Sequence, residues 1–153
     1  MTRLTRAAAA CALALAVASP TLACMPPQHM ADFGKYPAEV YTGAKKDVDF
    51  ASHPVAAALS AADRERVTKA VEAGPNFAGT YRIIYATCGE KCSALLMVNV
   101  ATGKVIGVPV EKNSYANFRA NSRYLIVRTA GQPARSFVFD GGEFKPAEAP
   151  SES

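Results

Sequence analysis

Residues 75–107 read PNFAGTYRIIYATCGEKCSALLMVNVATGKVIG, and this stretch sets the fold class. Tyr81, Ile83 and Tyr85 alternate with Arg82, Ile84 and Ala86 in the period-two pattern of a strand, while Leu95, Leu96, Met97, Val98 and Val100 form a nearly continuous apolar run. A run without polar alternation predicts a central strand covered on both faces. Thr102-Gly103 turns it into a hairpin partner over Lys104 to Val110, ending near Pro109. Between the first two strands lies a short loop, Gly89-Glu90-Lys91, with Cys88 and Cys92 at its ends. Opposed residues of an antiparallel pair come within about 4.5 Å between Cα atoms, a separation a disulfide accepts. A Cys88–Cys92 disulfide is therefore expected in an oxidising compartment, closing a loop so short that chain entropy assigns it only about 2 kcal/mol.

Upstream, the period changes. Ser60-Ala61-Ala62-Asp63 carries a helix-capping pattern, and a helix is predicted from there to about Ala73, with Val67 and Val71 on its inner face. Gly74 and Pro75 stop it. Before the helix, Ala38 to Ala51 suggests short extended pieces around Val40–Tyr41 and Val48–Phe50, separated by a turn at Gly43. Downstream, Arg123 to Arg128 and Ser136 to Phe139 read as strands, and Gly141-Gly142 turns the last one towards Phe144. The expected fold is α+β and mostly β: an antiparallel meander sheet with one main helix packed on it. It occupies residues 36–147 as a single domain, after a tether at 24–35 and before a disordered polar tail at 148–153.

Residues 1–23 have the three parts of an export signal: the cations Arg3 and Arg6, an apolar run from Ala7 to Ala18, and small residues in Ser19-Pro20-Thr21-Leu22-Ala23. A helix over that run rises only about 18 Å, too short for a hydrocarbon core of roughly 30 Å. The chain carries 17 cations and 13 anions, net +4. Loss of Arg3 and Arg6 lowers this to +2, too little to imply nucleic acid as a partner. The cations Lys112, Arg119, Arg123, Arg128 and Arg135 follow one another without an intervening acid. They read as polar faces of half-exposed strands, or else as a shallow site for anionic glycans or lipid head groups.

Cys11 lies inside the apolar run and is removed with it, leaving Cys24, Cys88 and Cys92, an odd number for an oxidising compartment. Thr21-Leu22-Ala23-Cys24 resembles the bacterial lipobox, with Thr21 where that pattern prefers Leu. Lipidation of Cys24 would tie the protein to the outer membrane, its only contact with a membrane. Ordinary cleavage would leave a periplasmic protein whose Cys24 is free or joined to another chain. The tether also gathers Cys24, Met25, His29 and Met30, soft ligands suited to Cu(I), although a linker that happens to contain them is the simpler account.

The segment Pro75, Asn76, Phe77, Ala78, Gly79, Tyr81, followed by Cys88, Gly89 and Cys92 and then by Thr102, Gly103 and Lys104, resembles a family of small exported bacterial proteins of unknown function. That family is marked by PNFAG-x-Y, CG-x-x-C and a strand ending in TGK. A weaker likeness reaches back to YPAEVYTG, Tyr36 to Gly43. In the family a His often follows the Gly of the first segment, where Thr80 stands here, so the resemblance implies no enzyme.

The residues themselves suggest none either. There is no Gly-x-Ser-x-Gly elbow, no His-Glu-x-x-His and no phosphate-cradling Gly-rich loop. Asp47 and Asp49 lack further oxygen ligands at calcium spacing, and His53, before Pro54, reads as a loop or helix-entry residue. Asn76 is expected to shape the turn after Pro75, with Gly79 admitting a neighbouring backbone. The expected function is that of a non-enzymatic exported envelope protein without metal or cofactor, binding a protein or glycan. The alternative is a Cu(I) or thiol-disulfide carrier using Cys88 and Cys92. Against it, a strand rather than a helix follows the second cysteine, and His29 and His53 both lie upstream.

Overall fold

The computed structural model describes residues 32–87, 93–111 and 114–150. Among them, seven strands form two antiparallel sheets, and the fold is α+β, mostly β. Strands β1 (Tyr81–Thr87), β2 (Ser93–Asn99) and β3 (Val105–Gly107) make the first sheet in chain order. Strands β4 (Ser114–Asn117), β5 (Tyr124–Thr129), β6 (Arg135–Asp140) and β7 (Glu143–Pro146) make the second, again in chain order. The expected meander is thus divided after β3, each half a sheet of its own. Strand β4, SYAN, escapes the sequence because it has no apolar alternation; it forms by pairing Ala116 with Val127 and Asn117 with Ile126.

The helical layer is α1 (Pro54–Ala57) and α2 (Ala61–Glu72), preceded by a 3-10 turn over Phe50–Ser52. Helix α2 begins where its capping pattern puts it: the Ser60 hydroxyl oxygen accepts from the Asp63 amide at 3.1 Å. It ends as the Gly74 amide donates back to the Val71 carbonyl at 2.9 Å. The segment expected as two extended pieces around Val40–Tyr41 and Val48–Phe50 is irregular. It meets the first sheet through Tyr41, Val48 and Phe50, which pack on the cluster around Leu96 and Val98, and through backbone bonds from Lys46 N–H to Val100 O and Asp49 N–H to Gly103 O, both 2.9 Å, with only an isolated bridge and no ladder.

Three buried clusters alternate with the sheets. Val67 and Val71 of α2 pack with Ala56, Leu59, Leu96, Val98, Val100 and Val105 on one face of the first sheet. Ile83, Leu95 and Met97 on its other face meet Leu125, Val127 and Phe139 of the second sheet around Phe77. On the far face of the second sheet, Tyr124 and Ile126 pack against Phe33. Successive residues of β2 therefore serve different clusters, Leu95 and Met97 one way, Leu96 and Val98 the other, and this is why the run shows no polar alternation. Strand β5 repeats the arrangement with Tyr124 and Ile126 against Leu125 and Val127.

The third cluster engages residues near both ends of the described chain. Asp32 and Phe33, within the stretch 24–35 expected as tether, are buried. The Phe33 ring meets Tyr124 edge-on at 5.7 Å, and the Ser122 hydroxyl donates to the Phe33 carbonyl at 2.7 Å. At the other end, the Glu148 carbonyl, expected in the tail, accepts from the Tyr124 hydroxyl at 3.2 Å and from the Ser136 hydroxyl. The export signal, Cys24, Cys88, Gly89, Cys92 and Lys112 lie outside the described residues.

Candidate functional site

The segment 75–81 joins α2 to β1 by folding tightly on itself. The Asn76 and Phe77 amides both donate to the Tyr81 carbonyl, at 2.8 and 3.0 Å, and the Tyr81 amide donates to the Phe77 carbonyl at 3.0 Å. The Asn76 side chain reaches on to Ile83, accepting from its amide at 2.7 Å and donating to its carbonyl at 3.0 Å. Ala78 and Gly79 then take successive left-handed conformations, φ +47° and +75°. That reversal aims their amides at another part of the chain: Ala78 N–H donates to Ser122 O at 2.9 Å and Gly79 N–H to Ala120 O at 2.7 Å. Beneath them the wholly buried Phe77 ring lies 6.0–6.3 Å from the rings of Phe118, Phe139 and Phe144.

The carbonyl side of this segment holds the stretch 36–43. Gly79 O accepts from Tyr41 N–H at 2.8 Å, and a Cβ on Gly79 would fall 2.1 Å from the Glu39 carbonyl oxygen, so glycine alone permits the approach. Together the two stretches line an open depression of about 320 Å³, formed by Glu39, Val40, Tyr41, Thr42, Gly43 and Thr80. Its wall is held firmly. The Tyr41 hydroxyl donates to Ala44 O at 3.0 Å and the ring lies close over Gly43, leaving no room there for a side chain. Glu39 is the charged residue of this lining, and Val40 its exposed large aliphatic one. Nothing in the sequence indicates that Tyr36–Gly43 and Thr80 meet, because the bonds that join the two stretches are between backbone groups.

Compared with family models, curated proteins and solved structures, the chain matches none.

The other candidate residues are engaged elsewhere. His53 caps α1, its Nδ1 accepting from the Val55 amide at 3.3 Å. The Asp49 carboxylate caps the 3-10 turn through the Ala51 amide at 3.2 Å. The described cations of the row have partners of their own: Arg135 pairs with Glu111 at 2.9 Å, Arg123 with Asp140 at 3.3 Å, Arg119 lies over the Phe33 ring at 5.2 Å, and Arg128 too has a partner. Among the described residues no group of three or more His, Cys, Asp or Glu is arranged to hold a metal ion. A second, far smaller cleft, about 10 Å³ between Asp32, Lys35, Tyr36, Tyr124, Glu148 and Ala149, has room for about one water. Here the Lys35 ammonium donates to Asp32 at 3.0 Å, which holds its pKa above the usual lysine value, and burial pushes the Tyr124 phenol up. This cleft fastens the start of the domain to its end.

Proposed function

We propose that the chain is an exported protein of the bacterial envelope that performs no catalysis and binds an envelope glycan or protein through the depression between Glu39–Gly43 and Thr80. The observation that carries this reading is the convergence of the two stretches, about forty residues apart in the chain, on one open concavity with a rigid wall. Backbone and side-chain bonds around Asn76–Tyr81 hold that wall in place, and preformed concavities with a few fixed polar groups are where small ligands bind.

The export half of the reading rests on residues 1–23, and the covalent half on Cys88 and Cys92. Strands β1 and β2 are paired as far as Thr87 opposite Ser93. Cys88 directly follows that pair on one strand and Cys92 directly precedes it on the other. Within this proposal they form a disulfide that staples the hairpin, and Cys24 is the first residue after the signal, either lipid-modified or free.

The test is mass spectrometry of the amino terminus, with thiol and metal analysis, on protein recovered from the bacterial envelope. The expected result is a chain beginning at Cys24, with Cys88 and Cys92 oxidised and no copper retained. A chain still beginning at Met1 in the cytoplasm overturns the export reading. Two free thiols retaining one copper ion would make the protein a Cu(I) carrier instead.

A further inference from the structure

We infer that the depression lined by Glu39, Val40, Tyr41, Thr42, Gly43 and Thr80 is a subsite for a neutral glycan, an assignment that rests on the binding function proposed above. At about 320 Å³ the depression is at the small end of the roughly 300–1,000 Å³ that small-ligand sites occupy. A folded protein partner would need about 800 Å² of surface and buried aromatic or aliphatic anchors. The lining instead offers a single exposed aliphatic side chain, Val40, at 39% exposure.

Thr42 and Thr80 carry hydroxyls that both donate and accept, while the Glu39 carboxylate only accepts. A polyhydroxylated ligand supplies donors for the carboxylate and acceptors for the threonines. An anionic ligand meets Glu39 with no cation in the lining to offset the repulsion. Tyr41 lines the depression as a half-buried side chain packed on the core cluster beneath the first sheet. Its hydroxyl is already committed to Ala44 O, and its amide to Gly79 O, so the ring loses little freedom when a ligand arrives.

The experiment is calorimetric titration of the exported chain with two sets of soluble oligosaccharides of equal length, one neutral and one carrying uronic acids. Neutral oligosaccharides are expected to bind at least about tenfold more tightly than the acidic ones. Glu39→Gln and Thr80→Val should each weaken neutral binding roughly tenfold while the circular-dichroism melting curve stays in place, and Glu39→Gln should narrow the gap between the two sets. Equal affinity for both sets, or unchanged affinity in both variants, overturns the assignment. A photo-crosslinking residue at position 42 separates failure of the glycan assignment from failure of the binding function. If no oligosaccharide binds but an envelope protein is crosslinked there, the glycan assignment falls and the binding function stands; if neither occurs, both fall.

Discussion

The side-chain amide of Asn76 pairs with the backbone of Ile83 as a strand neighbour would, its Oδ1 accepting from the Ile83 amide at 2.7 Å and its Nδ2 donating to the Ile83 carbonyl at 3.0 Å. The pair continues the hydrogen bonding of β1 beyond the reach of the backbone at 76–77, and it fixes the turn from which Gly79 and Thr80 project. Asn76→Ala removes both bonds from a half-buried site and is expected to cost about 2 kcal/mol, read as a lower denaturant midpoint at unchanged slope. Asn76→Asp keeps the acceptor but turns a carboxylate oxygen towards the Ile83 carbonyl, and should be at least as damaging near neutral pH.

Gly79 and Gly131 share a φ of +75°, yet their surroundings separate them. A Cβ on Gly131 meets nothing within 4 Å, whereas one on Gly79 falls 2.1 Å from the Glu39 carbonyl oxygen. Gly131→Ala should therefore cost only the left-handed conformation, about 1 kcal/mol. Gly79→Ala adds a backbone collision that pushes Glu39 and Tyr41 away and dismantles the depression. Thermal melting of the two variants should show the second far below the first.

Phe77 is the ring about which the two sheets close. With Phe118, Phe139 and Phe144 around it and no exposed surface, Phe77→Ala should destabilise the protein by roughly 3–5 kcal/mol. That is a large share of the roughly 5–15 kcal/mol typical of whole domains, so poor recovery of soluble protein is one expected readout. Phe77→Leu should cost less, because most of the volume is retained.

Asp63 ties the start of α2 to the end of β1. Its carboxylate accepts from the Ser60 hydroxyl at 2.6 Å and the Thr87 hydroxyl at 3.0 Å, and meets Arg66 at 3.1 Å. These hold its pKa below the ordinary 3.8, the Ser60 bond most, then Thr87, then the Arg66 charge. Because the folded value is the lower one, the stabilisation is complete above the unfolded value and disappears as pH falls through the folded one. Melting temperatures across about pH 2 to 5 should fall less steeply for Asp63→Asn than for the parent chain. Asp140, held low by its bond to Lys145 and by Arg123, contributes in the same direction.

Much of the fold was legible because its signals are local. The Ser60 cap, the Val67–Val71 spacing and the Gly74-Pro75 stop lie within a few residues of the backbone they direct, and α2 follows them closely. The uninterrupted apolar run from Leu95 to Val98 announces a strand buried on both faces, because each face needs its own apolar set. Phe33 was less legible, since one buried aromatic in a stretch without periodicity carries no pattern.

From its order of residues alone, this chain is committed to a mostly β architecture, a single long helix and a reversal at Asn76–Gly79, because helix caps, strand alternation and left-handed turns act over a few bonds. Only the tertiary structure decides that the strands divide into two sheets, that SYAN becomes β4, and that Glu39–Gly43 closes against Thr80. Those outcomes depend on backbone amides and carbonyls finding partners far along the chain, Gly79 with Ala120 and Tyr41 with Gly79. Every residue but proline has the same amide and carbonyl to offer, so such pairings leave no mark in the side chains.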